Sequence, residues 1–297
     1  MNNSKKVTSV EANPCKEVNT EGCSELATLK VGNNLQTLQA SNCTKLTKVE
    51  GTLSALTSLQ CNYNTGFTTD FLKGVLEGST APKLEVCEVR YVNLPAQLNV
   101  RKSLKKLELN NATGLTSLTV SAGSALEQLD VSYVRTLKEL DVSQAKGLKK
   151  LIFHTTEVKK ISLAGLTKLE EVYMSGSYPA RLLTELICQL HNRQNLDKGV
   201  FKYLFSSSEL SLVNGRVAKD KNWMIYNTNG GKDVTDQCTS TVSCEAVVPP
   251  ATPDEVHFEL TGRTKLFFET VKPTMVWLSA TSDKNKFYYN DYYGVGN

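Results

Sequence analysis

The sequence predicts an α/β fold: a solenoid of stacked short parallel strands with occasional convex helices, followed by a small β-rich C-terminal module. Three observations carry that expectation. A short phrase, Leu-x-x-Leu-x-apolar, returns every eleven residues at Leu126, Leu137 and Leu148, within LEQLDVSYVRTLKELDVSQAKGLKKLIF. Inside it, apolar and polar residues alternate with the period of two that marks a strand with one buried face. The one long break in the recurrence carries helical spacing instead.

The phrase begins at Leu104, Leu115, Leu126, Leu137 and Leu148; a valine version, VKKISL, starts at Val158, and LEEVYM follows at Leu169. Looser copies open at Cys15, Leu26, Leu35, Leu46 and Leu56, and copies at Leu84 and Pro95 bridge the two sets. Spacings run from 9 to 11, apart from a gap of 28 between Leu56 and Leu84. Polar tails such as SYVRT, SQAKG and NNATG read as turns. A single arc cannot bury its own apolar side, whereas stacked arcs can, which is the physical reason for repetition. Solenoid repeats run ~20–29 residues, so two such arcs make one coil and successive phrases alternate between two opposite sheets.

The gap shows which phrases share a sheet. Within it, FLKGVLEG has helical spacing and replaces one arc. A bulky helix belongs on the convex side, where the circumference is greater. The phrases at 56 and 84 therefore lie on the concave sheet, and alternate counting adds those at 104, 126, 148 and 169. A second helical stretch, in YPARLLTELICQLHNRQN, leaves that same sheet after 169.

Phrases such as LEQLDVS and LKELDVS, together with the longer unit LxxLxCxxN at 56, resemble leucine-rich repeat proteins. The short arcs are similar to those of bacterial surface leucine-rich repeat proteins, internalin-like in broad class, and the resemblance covers roughly 7–230. It implies a binding surface on the cell exterior and no particular ligand, because one fold serves many. Two features depart from the pattern: Asn seldom holds the turn position, and 62–83 interrupts the array.

After the repeats, RLLTELICQL reads as a helix, and VFKYLF and WMIYN as strands. Residues 178–229 are expected to cap the array, with Trp223 closing its core, so that 1–230 is the solenoid with its cap. Residues 231–255 combine Gly-Gly, a Ser/Thr-rich run and Pro-Pro, and read as a linker. In 256–297, VHFEL, TKLFFET and TMVWLSA alternate as strands of a small β module, complete or not.

With 40% hydrophobic and 22% charged residues the chain is globular rather than disordered. A net charge of +4 is too mild for a nucleic-acid partner, which calls for a concentrated basic stripe. No apolar run approaches the ~18 residues of a membrane span. The opening, MNNSKKVTSV, has no apolar core of a signal segment; the first repeat begins almost at once, as in a piece of a longer protein. Of the eight cysteines, Cys15, Cys23, Cys43, Cys61 and Cys87 are expected as buried free thiols that pack as small hydrophobes. Cys238 and Cys244 flank TSTVS and are placed to form a local disulfide or to remain free.

Motifs of catalysis are missing. The histidines, His154, His191 and His257, form no HExxH or paired metal spacing, no CxxC occurs, and no GxSxG elbow is found. GGKD at 230–233 lacks the rest of a P-loop. Asp130 and Asp141 fall on opposite sheets by the alternate count. No catalytic, metal or cofactor residue is therefore assigned.

The surface is more informative. Tyr63, Tyr91 and Tyr133 occupy the eighth position of the phrases at 56, 84 and 126. Arg90, Ile152, His154 and Tyr173 lie nearby on the same sheet. Ile152 and Tyr173 hold the fifth position, where other phrases carry Glu88, Glu108 and Asp130. Exposed tyrosines give large contact area at little rotamer cost, so these residues are the candidate ligand-binding set. The alternative is that they pack against turns, the cap or the β module. The expected function is non-catalytic adhesion or recognition at the cell surface or outside the cell, with a protein or glycan ligand. A structural spacer, or the recognition arm of a larger enzyme, are the other readings.

Overall fold

The computed structural model describes residues 3–159, 161–176, 178 and 180–244. The chain divides into two units, Met1–Val248 and Pro249–Asn297. The β module expected at 256–297 lies outside the described residues, as does 245–255 of the expected linker. The first unit is α/β, with mostly parallel strands and few helices.

Eleven strands form one long sheet whose spatial order is the chain order. They are Glu17–Asn19, Thr37–Gln39, Ser58–Gln60, Val86–Glu88, Lys106–Glu108, Gln128–Asp130, Lys150–Ile152, Glu171–Tyr173, Gly199–Tyr203, Trp223–Asn227 and Lys232–Asp233. We count them as rows one to eleven. All pairings are parallel except the last, which is antiparallel. Across rows one to ten the register aligns a stripe of buried residues: Val18, Leu38, Leu59, Cys87, Leu107, Leu129, Leu151, Val172, Phe201 and Ile225. A one-residue slip would turn that whole stripe to solvent, so the register is firmly set.

The alternate phrases pair with each other on separate, three-stranded sheets: Ser9–Ala12, Thr28–Val31 and Val49–Gly51, and then Gln97–Val100, Ser117–Val120 and Glu139–Asp141. Phrases 104 and 115 are thus never direct partners, as the alternate count predicts. The repeat also starts one phrase earlier than Cys15, because VTSVEA at 7–12 supplies the strand Ser9–Ala12.

A helix, Thr69–Glu77, stands between the two three-stranded sheets. The Thr68 hydroxyl accepts from the Phe71 N–H at 3.1 Å to cap its start, and Gly78 ends it at φ 98°, a left-handed conformation that suits glycine. It buries Leu72, Val75 and Leu76. Thr68 N–H bonds to Thr47 O before it, and Arg101 N–H to Leu76 O after it, so the helix fills the place of one arc. A second helix, Ala180–Gln189, follows the row at 171–173, and its Gln189 Oε1 accepts from Leu163 N–H at 2.7 Å.

The segment 178–229 does more than cover the end: two of its strands continue the long sheet as rows nine and ten. Trp223 is buried at 1% exposure and donates its indole N–H to His191 O at 2.9 Å. A Cβ at its partner Gly199 would meet the Trp223 ring at 2.5 Å, so the indole requires glycine opposite it.

Three expectations need correction. Residues 231–244, read as the start of a linker, carry row eleven and the 3-10 helix Thr235–Gln237, with Val234 and Cys238 buried. Their polar composition suggested a loop, but the Thr235 hydroxyl accepts from Ile225 N–H at 2.8 Å and ties the segment to row ten. Cys244 is bonded to Cys188 of the second helix, not to Cys238, whose thiol is free and pushed up to about 12 by burial. Cys15 is exposed, because row one is the edge of the sheet, whereas Cys23, Cys43, Cys61 and Cys87 are buried free thiols.

Candidate functional site

The strands of the long sheet are short, and each ends in the same backbone device. The eighth residue of the phrase adopts positive φ in every row from one to eight: Gly22, Asn42, Tyr63, Tyr91, Asn111, Tyr133, Thr155 and Gly176. From Gly22 to Thr155, its N–H donates to the seventh-position carbonyl of the next row at 2.8–3.0 Å. The left-handed turn thus extends the ladder beyond the strands, and the position is fixed by main-chain bonds on every row.

Glycine and asparagine suit that conformation. A bulky side chain there is an outlier, and the left-handed setting costs roughly 1–2 kcal/mol per residue for ordinary L-residues. Yet Tyr63, Tyr91 and Tyr133 occupy it, with φ of 57°, 56° and 61°, and remain 46%, 41% and 42% exposed. Burial does not compensate the strain, so these tyrosines are not core residues.

The candidate residues fall into two groups. Tyr63 and Tyr91, on rows three and four, stack with ring centroids 4.2 Å apart and planes within 12°. On rows six to eight, His154 stands between Tyr133, which meets it at 4.5 Å with planes turned by 80°, and Tyr173, stacked at 4.7 Å. Burial lowers the His154 imidazole below its ordinary value, against a weaker opposing pull from Asp130, which favours the neutral ring in this stack. Ile152 and Tyr173 are direct partners on rows seven and eight, both half-buried.

Row five separates the groups, and it carries Asn110 and Asn111 where row four carries Arg90 and Tyr91 and row six carries Ser132 and Tyr133. Sequence reasoning missed both asparagines. Aligning eighth positions would have found Asn111, since Gly22, Asn42 and Gly176 mark the same left-handed turn.

Below the rings runs an ion network. Lys106 Nζ lies 2.7 Å from Glu88 and 2.8 Å from Glu108, and Arg90 pairs with Glu108. Burial raises the Glu108 carboxyl, but the hydrogen bonds from Lys106 and Arg90 outweigh it and hold the group below its ordinary value. Asp130 accepts from Asn110 Nδ2 at 3.1 Å and from Ser132 N–H at 2.9 Å. Arg90 Nε and Asn110 Oδ1 are enclosed and make no hydrogen bond.

Asp130 lies on the long sheet and Asp141 on the opposite side, so the two carboxylates share no site. Among the described residues, no group of three or more His, Cys, Asp or Glu side chains is placed to hold a metal. Among the same residues, no helix is long and apolar enough to cross a membrane. No family model, curated protein or solved structure matches the chain.

Proposed function

We propose that residues 7–230 are a leucine-rich repeat solenoid of the bacterial surface type, and that its long sheet is the recognition face of a non-catalytic adhesion module. The ligand is a protein or a glycan held outside the cell. One observation carries this reading: three exposed tyrosines kept in a left-handed conformation that glycine or asparagine fills on four of the other five rows, with Thr155 on the fifth. Strain that the fold does not need is characteristic of functional positions. A spacer with no ligand would have no use for it. The Cys188–Cys244 disulfide supports an oxidising compartment, and hence the cell exterior.

The test is a binding array of glycans and purified extracellular proteins probed with the full chain. For the ligand found, Tyr133→Ala or Tyr173→Ala should weaken binding by about 1–3 kcal/mol while barely moving the thermal midpoint. Large destabilisation with unchanged affinity would make these tyrosines packing residues and end the reading.

A further inference from the structure

We infer that Thr155 is a positioning residue of the recognition face: its hydroxyl fixes the neighbouring His154 ring as a single outward hydrogen-bond donor at Nε2, suited to an uncharged acceptor oxygen of the ligand. This rests on the proposed recognition role of the long sheet, because a fixed donor has a use only where a ligand meets it.

Strain singles out Thr155. On rows one to eight the left-handed turn holds glycine or asparagine four times and an exposed tyrosine three times. Row seven alone places a β-branched residue there, with φ of 55°. β-branched side chains are among those least suited to that conformation. The turn itself asks nothing of the side chain, because Thr155 N–H donates to Ser175 O at 3.0 Å as its counterparts do on their rows. What threonine adds is a hydroxyl, and its one described side-chain hydrogen bond is with His154 Nδ1, at 3.3 Å. Strain held for a single polar contact points to function.

His154 needs that contact to be oriented. Ring contacts with Tyr133 and Tyr173 fix the plane of the imidazole. They are nearly blind to a half-turn about the Cβ–Cγ bond, which exchanges Nδ1 with a carbon. The Thr155 hydroxyl chooses between the two settings. It also chooses the tautomer. Thr155 Oγ1 has no other described hydrogen-bond partner, so its proton is used by donating to Nδ1, and the ring proton stays on Nε2. Burial favours the neutral ring. Nε2 has no described partner and, unlike both ring nitrogens of His191, is not enclosed. The surrounding charges define what it can meet. Asp130 acts on the ring from row six, while Lys150 and Lys202 both pair with Glu171 of row eight. Two lysines against Glu171 and Asp130 leave no net charge, so an anionic oxygen gains nothing there over a carbonyl or a hydroxyl.

The experiment is nuclear magnetic resonance of the full chain, isotope-labelled on nitrogen, at a pH above the titration of His154. It reads which ring nitrogen carries the proton, and His154→Gln identifies the signals among the three histidines. The expected result is a single Nε2–H form in the parent and a mixture of both forms in Thr155→Val, which keeps the shape and loses the hydroxyl. Thr155→Ser should restore the single form, and the His191 signals should stay in place throughout. Thr155→Gly should not lower the unfolding midpoint, since glycine fills the same turn on rows one and eight. A parent in the Nδ1–H form or in a mixture overturns the inference. So does a Thr155→Val spectrum identical to the parent's, or a Thr155→Gly chain that unfolds markedly earlier. On the array of glycans and extracellular proteins, Thr155→Val should raise by about three- to tenfold the Kd of each ligand that Tyr173→Ala weakens, with recovery in Thr155→Ser. Ligands untouched by Thr155→Val overturn the donor role. The two levels fail differently. An array that binds nothing ends the recognition reading and the donor's use with it, whereas a parent in the Nδ1–H form that still binds array ligands ends this inference alone.

Discussion

From Val18 to Ile225 the long sheet pairs row to row without a break, whereas on the opposite side a helix separates two three-stranded sheets. Both sides are written in the same phrase. The difference lies in what each row must supply. On the long side, strand and left-handed turn together pass hydrogen bonds to the next row, so a missing row would leave donors and acceptors unpaired. On the opposite side, a helix satisfies its own backbone and joins its neighbours through a few bonds at its ends. The continuous side therefore carries geometry, and the interrupted side absorbs variation. Placing the aromatic groups on the continuous side gives them the rigid support that a binding site needs.

The sharpest way to break this comparison is to cut a cavity on each side. Leu151 of the long sheet is fully buried between paired strands, and Leu140 of the opposite side is buried at the end of its sheet. Leu→Ala changes cost about 2–5 kcal/mol, depending on how far the site can collapse. Leu151→Ala should fall at the upper end and Leu140→Ala at the lower, by urea denaturation. Equal costs would remove the distinction between the sides.

A second test cuts the covalent tie. Cys188 and Cys244 close a loop with a sequence separation of 56, for which chain entropy predicts about 4 kcal/mol of stabilisation. Cys188→Ser should lower the thermal midpoint of the C-terminal rows and leave rows one to five protected in hydrogen exchange, because damage in a repeat array spreads to neighbours only. Uniform loss of protection would show a single cooperative unit instead.

Acid should act on the long side. Glu108 and Glu171 are both held below their ordinary values, where burial is outweighed by Lys106 and Arg90 in one case and by Lys202 and Lys150 in the other. Their ionised forms favour the folded state. That stabilisation is present above the unfolded value near 4.5 and is lost as pH falls through the lower folded values. Glu108→Gln should be less stable than the parent at pH 7 and converge with it once the pH falls below the lowered folded value of Glu108. Parallel curves across that range would mean the network contributes nothing.

The smallest effect is the most discriminating. Tyr133→Asn puts a residue that tolerates positive φ into the left-handed turn. Stability should rise by up to about 1 kcal/mol, reduced by the lost ring contact with His154. Affinity should fall. A variant that loses stability would show the tyrosine to be structural after all.

How far the sequence led follows from which residues speak for themselves. Leucines at fixed spacing announce the buried stripe, and the 28-residue gap assigns phrases to sides, because FLKGVLEG can only be a helix. The tyrosines were visible as exposed aromatics, but nothing in a tyrosine announces positive φ; the glycines and asparagines at the equivalent positions do. Ring stacking depends on rotamers, which no spacing encodes. Cys188 lies in a helix and Cys244 after the last row, so only the folded path brings them together. The run at 231–244 looked like a linker because its few anchors, Val234, Thr235 and Cys238, are scattered among polar residues.

The left-handed turn has one further consequence. Because its backbone setting recurs on successive rows and its hydrogen bonds do not involve the side chain, the residue there is free to change identity without re-wiring the ladder. Those positions behave like a column of type held in one frame. A library that varies only residues 42, 63, 91, 111, 133 and 155 would print new recognition surfaces on an unchanged scaffold, and natural relatives of this chain would be expected to diverge there first.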